Sequence, residues 1–164
     1  MGVSVVLPVS GYVFIHSAPR FLCTHLSWAV SSVLSKRVDL AWTCQPFLAG
    51  TYRSVYRWVS DKPGTGAALA AVLRSWDNIR FEVTENCTAD NDGARWLYTP
   101  ELGIHYAQTD SAGNIVLTEN RLQDILTWCE GNFSSVRREI NFCLGNAWDE
   151  QLEPYRSSAG YAYA

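Results

Sequence analysis

The stretch that decides the fold runs Val38-Asp39-Leu40-Ala41-Trp42-Thr43-Cys44-Gln45, then Pro46-Phe47-Leu48-Ala49-Gly50, then Tyr52-Arg53-Ser54-Val55-Tyr56-Arg57-Trp58-Val59. Its first part alternates. Val38, Leu40, Trp42 and Cys44 point one way, and Asp39, Ala41 and Thr43 the other. The last part alternates too, with Arg53 and Arg57 opposite Tyr52, Tyr56 and Trp58. Side chains of a strand alternate between its two faces, so both parts read as strands joined by a short hairpin connection.

Outward from this pair the pattern changes period. Upstream, Leu22, Leu26, Ala29 and Val33 recur at helical spacing, and Phe21 and Trp28 widen the apolar stripe. Ser17-Ala18-Pro19 reads as the start of that helix, since Ser caps well and Pro is tolerated in a first turn. Before it, Tyr12 to His16 reads as a buried strand. Downstream, Pro63-Gly64-Thr65-Gly66 breaks the chain and a helix is expected over Ala67 to Trp76. Ile79, Phe81 and Val83 then alternate with Arg80, Glu82 and Thr84 as a fourth strand. Strand, helix, two strands, helix, strand is the order of a ferredoxin-like, split-βαβ unit. Right-handed crossovers place both helices on one sheet face, and the other face needs a cover or a partner.

The second half extends this α+β core with more antiparallel strands and two C-terminal helices. Strands are expected at Trp96 to Tyr98, Ile104 to Thr109 and Ile115 to Leu117. Thr118 is placed to cap a helix with Leu122, Ile125, Leu126 and Cys129 inward. Asn132 is placed to cap another, with Phe133, Val136, Ile140 and Cys143 or Leu144 as its stripe and Gly145 at its end. With 164 residues one domain is expected: a loose arm over 1–10, the domain over 11–156, and a frayed tail over 157–164.

Composition narrows the function. Net charge is −3, which disfavours a nucleic-acid binder, since such a protein needs a clustered basic face. No run approaches the roughly 20 apolar residues of a membrane span. Five Cys, an odd number with no Cys-x-x-Cys, read as reduced thiols of a cytoplasmic protein. Cys23 and His25 lie about 200° apart around a helix, so no shared metal is expected, and no cofactor motif occurs. No nucleophile elbow or phosphate-binding loop is present, so a catalytic role is not the leading expectation.

Two places carry candidate residues. At His16-Ser17-Ala18-Pro19-Arg20 a strand feeds a helix, where His16, Ser17 and Arg20 with free backbone N–H groups would suit an anion. The plain alternative is a helix cap, with Arg20 on a carboxylate. At the C-terminal end, Trp148, Asp149, Glu150, Leu152, Glu153, Tyr155 and Arg156 form an acidic and aromatic segment. It either straps back over the open sheet face or docks into another protein.

These segments, with Cys23-x-His25 and Trp28-Ala29, Arg80-Phe81-Glu82-Val83-Thr84, Thr99-Pro100-Glu101-Leu102-Gly103-Ile104, Glu119-Asn120-Arg121-Leu122 and the run from Trp148 to Arg156, resemble the actinobacterial domain-of-unknown-function family 3145. The resemblance spans about residues 11–157. Thr24 stands where Pro is usual in the family. The resemblance implies an actinobacterial cytosolic protein, with family genes often beside fatty-acid synthesis or pyruvate dehydrogenase genes. Three functions follow as expectations. The first is a non-catalytic accessory or regulatory protein binding a larger enzyme or complex of fatty-acid or acyl-CoA metabolism. The second is a sensor or carrier of an acyl-CoA or other anionic ligand. The third is an enzyme using Cys23 or His16 with Glu101.

Overall fold

The computed structural model describes residues 7–158. One antiparallel sheet of seven strands runs through it, in the order β2-β3-β1-β4-β5-β6-β7. The strands are β1 (Val9–Pro19), β2 (Thr43–Cys44), β3 (Thr51–Ser60), β4 (Arg80–Glu85), β5 (Gly93–Thr99), β6 (Gly103–Thr109) and β7 (Ile115–Val116). Helix α1 (Cys23–Leu34) links β1 to β2, and α2 (Thr65–Leu73) links β3 to β4. Helices α3 (Glu119–Trp128), α4 (Phe133–Cys143) and α5 (Asn146–Ser157) follow the last strand. The expected strand-helix order of the first half is therefore present, in an α+β fold.

α1 and α2 lie on one sheet face. Leu26 and Val30 of α1 and Leu69, Ala70 and Leu73 of α2 pack on Val9, Val13, Ile15, Trp58, Phe81 and Val83. Full burial of such side chains is worth about 1.5–3 kcal/mol each. Gly11 sits in this face because a Cβ there would meet the Thr84 carbonyl oxygen and the Trp58 ring. Val9 is fully buried and paired with Ser60, so the last residues of the expected N-terminal arm belong to the sheet. Residues 1–6 of that arm, and residues 159–164 of the expected tail, lie outside the described residues.

Several local expectations need correction. Ser17-Ala18-Pro19 does not open a helix. A residue before proline is driven toward extended backbone, and β1 continues through Pro19, which pairs with Thr51. A short 3-10 turn at Arg20–Leu22 then leads into α1, with no side-chain cap at either start. The segment from Val38 is a strand only at Thr43–Cys44. Val38 and Leu40 are buried as expected, but their N–H groups donate to the Ser31 and Ser27 hydroxyls of α1 at 2.9 and 3.3 Å, not to β3. Phe21 and Trp28 do not extend the buried stripe of α1 and stand exposed. The C-terminal acidic segment is a third late helix, α5, with Pro154 inside it.

Thr118 and Asn132 cap as expected. The Thr118 hydroxyl accepts from the Arg121 N–H at 3.3 Å, and the Asn132 side-chain Oδ1 from the Ser135 N–H at 3.0 Å. Yet α3 and α4 bury little. Ile125 and Cys129 of the expected α3 stripe are buried, while Leu122 and Leu126 are exposed. No residue of α4 is fully buried, and Phe133, placed inward by its spacing, is exposed.

Candidate functional site

The sheet face opposite α1 and α2 receives α5. Trp148, Leu152, Tyr155 and Arg156 are buried against it, four residues of the segment considered for partner docking. They recur at helical spacing, so one stripe of α5 meets the sheet. Leu152 packs with Leu97 and Trp148, and the Trp148 indole N–H donates to the Gly103 carbonyl at 2.9 Å. Glu150 and Glu153 face solvent.

Beneath α5 lies a cluster of charges. Glu82 of β4 is fully covered and accepts from Arg95 Nε at 2.7 Å and from Arg156 Nη2 at 2.8 Å. Asp149 accepts from Arg95 Nη2 at 2.9 Å and from Arg156 Nη1 at 2.8 Å. Two carboxylates and two guanidinium groups thus alternate in a closed ring. His16 stands beside it, with Nε2 3.5 Å from Glu82 Oε2. Burial pushes the Glu82 carboxyl up, but His16, Arg95 and Arg156 outweigh it and hold the group well below the usual carboxylate range. Burial lowers the His16 imidazole despite the nearby Glu82 charge. β1 bulges at this point, its register shifting after Ile15. Gln45 ties the bulge to α5, donating to the His16 carbonyl at 2.7 Å and the Tyr155 carbonyl at 3.3 Å. The chemistry of this ring is attachment: it neutralises buried charge and fixes α5 on the sheet.

The residues considered for an anion site are not gathered. His16 belongs to the ring, Ser17 is fully buried, and Arg20 is exposed on the 3-10 turn. The helical start is displaced from Ser17 to the 3-10 turn at Arg20–Leu22, because β1 continues to Pro19. The groups considered for catalysis each have a different partner: His16 has Glu82, Cys23 the Pro19 carbonyl and Glu101 Arg80. The Cys23 thiol points to the Pro19 carbonyl, 3.6 Å away, and burial pushes it up toward the inert thiol form. Glu101 accepts from Arg80 at 2.6 Å on the surface. His25 stacks on Trp76 with ring centroids 5.7 Å apart. Among the described residues no cluster of three or more His, Cys, Asp or Glu could hold a metal ion.

Sequence reasoning missed Glu82 and Arg95 as members of the ring. The alternation of β4 puts Glu82 on its polar face, and α5 covers that face. Sequence reasoning also missed a groove of about 630 Å³ at the far edge of the sheet. Ile104 and Tyr106 of β6, Val116 of β7, Arg121 of α3, and Phe142 and Cys143 of α4 line it. His105 and Trp148 close its floor, their rings stacked 4.6 Å apart. Helices α3 and α4 also present Phe133 at 76% exposure, Trp128 at 65%, Leu126 at 57% and Phe142, which lines the groove, at 54%. Leu126 and Trp128 lie about 200° apart around α3, and Phe133 and Phe142 stand at opposite ends of α4, so these large apolar side chains are spread over the helical pair rather than stacked in one stripe.

These features define an α+β domain whose own C-terminal helix closes one sheet face, leaving a helical pair with exposed apolar side chains and a groove at the sheet edge. A family model described as "Protein of unknown function (DUF3145)" matches residues 12–163, nearly the whole chain, and the chain belongs to that family. No curated protein and no solved structure matches it.

Proposed function

We propose that this chain is a non-catalytic accessory protein that binds a larger protein through the exposed apolar side chains of α3 and α4. The observation that carries the reading is the exposure of Leu126, Trp128, Phe133 and Phe142 on a helical pair of which one member has no fully buried residue. Trp and Phe are enriched at interface cores and hot spots. The acidic aromatic segment is not the docking element in this reading, because its Trp148, Leu152, Tyr155 and Arg156 already pack on the chain's own sheet. Five free thiols fit a reducing compartment such as the cytoplasm. No described helix is long and apolar enough to cross a membrane. An enzyme complex of fatty-acid or acyl-CoA metabolism is the partner class that the family resemblance points to.

Affinity purification of the full chain from a native lysate, followed by mass spectrometry, tests this reading. A partner in stoichiometric amount is expected, and its identity decides the partner class. Recovery of the chain alone as a clean monomer would overturn the reading.

A further inference from the structure

The groove is lined by every residue from Ile104 to Gln108, whose side chains alternate between the two sheet faces. A pocket that touches both faces of one strand lies along that strand's edge. β7 covers this edge only opposite Gln108 and Thr109. The Asp110 N–H donates to the Asn114 carbonyl across the β6–β7 turn at 2.9 Å. Backbone polar groups of a strand point to opposite sides at successive residues, and β6 pairs with β5 without a register shift. Ile104 and Tyr106 share the parity of Asp110, so their N–H and C=O groups point outward, where β7 has already ended. An uncovered edge of this kind is a template for another strand.

The groove also holds a cation with capacity left. Arg121 Nε donates to the Cys143 thiol sulfur at 3.4 Å, and its guanidinium lies 5.4 Å from the Trp128 ring centroid. Among the described residues no carboxylate forms an ion pair with it, whereas Arg80, Arg95 and Arg156 all have one. A guanidinium carries five N–H donors in a fork that matches a carboxylate.

We propose that the free edge of β6 takes an extended peptide segment of a partner protein, added as a strand opposite Ile104 and Tyr106, with an Asp, Glu or C-terminal carboxylate on Arg121. This rests on the protein-binding reading above and names the form of the bound segment. At about 3.3 Å per residue, the edge from Gly103 to Ala107 accommodates four or five residues. Apolar side chains on one side of that segment would meet Val116 and Phe142. A second copy of this chain pairing edge to edge is disfavoured, because β6 itself carries no carboxylate to offer Arg121.

The test is selection of a random peptide library on the full chain, followed by binding of the enriched peptides in solution. The expected peptides alternate apolar residues and carry an acid at a fixed place. Arg121→Gln is expected to weaken them about tenfold or more. N-methylation at alternate peptide positions is expected to abolish binding in one register and spare it in the other. Binding is expected to slow hydrogen exchange at the Ile104 and Tyr106 amides. Enriched peptides that ignore Arg121→Gln, or leave those two amides unprotected, would overturn the proposal. So would an empty selection, or self-association of the chain that protects the same amides. If the selection fails while a stoichiometric lysate partner is still captured, the edge proposal falls and the accessory reading stands.

Discussion

Arg156 Nη2 donates to Glu82 Oε2 at 2.8 Å, joining α5 to the middle of the sheet across 74 positions of sequence. Both side chains are buried, and each has a second oppositely charged partner: Arg95 for Glu82, Asp149 for Arg156. The pair is an anchor for α5, and its energetics follow from burial. Removing one partner leaves an uncompensated buried charge, at a cost of about 3–5 kcal/mol. Glu82→Gln and Arg156→Met are each expected to lower unfolding free energy by about that amount in urea titrations. The double variant is expected to be less destabilised than the sum of the two, because no lone charge of the pair remains. Additive losses would show that the two groups do not interact.

The same ring makes the fold acid-sensitive. Glu82 titrates far lower when folded than its ordinary 4.5, so its stabilisation is present above about pH 4.5 and is lost as pH falls below it. His16 and His105 titrate below their ordinary 6.5 when folded, chiefly through burial. The unfolded chain therefore binds their protons first, and stability declines as pH drops below about 6.5. The urea midpoint is expected to fall between ~pH 7.5 and ~pH 5.5, and again more steeply below ~pH 4.5. His16→Gln with His105→Gln flattens the first limb, and Glu82→Gln weakens the second, the remainder coming from Asp110, which its hydrogen bonds from Asn114 also hold below the usual carboxylate range. A midpoint that rises on acidification contradicts this account.

Gly145 sets the corner between α4 and α5. Its φ is +74°, and a Cβ there would lie 2.9 Å from two atoms of the His105 ring. Gly145→Ala therefore combines a left-handed backbone, which costs about 1–2 kcal/mol for an L-residue, with a clash at the groove floor. A loss of about 2 kcal/mol or more in thermal or urea unfolding is expected. Gly113→Ala is the control: φ is +83° with nothing near a Cβ, so only the backbone cost applies.

Much of the core was legible in the sequence because period and burial agree there. Phe81 and Val83 alternate with Glu82 and Thr84, and the structure keeps that alternation. What alternation does not specify is the hydrogen-bond partner. Val38 and Leu40 show strand spacing but bond to α1 serines. Nor does it specify what covers a face. Glu82 reads as a solvent-facing acid until α5, formed far along the chain, is laid over it. The helix itself was signalled by Trp148, Leu152 and Tyr155 at four- and three-residue steps, but Pro154 and the acids masked it. The groove was not legible, because it depends on β7 stopping after two residues.

The central claim is that α3 and α4 bind a protein partner. Leu126→Ser with Phe133→Ser changes two exposed side chains, so each should alter stability by no more than about 0.5 kcal/mol. The most direct measurement compares this variant with the unaltered chain in affinity capture from a native lysate, with stoichiometry read by mass spectrometry. The account predicts a stoichiometric partner with the unaltered chain and its loss with the folded variant. Equal capture by both, or no stoichiometric partner with either, would contradict it.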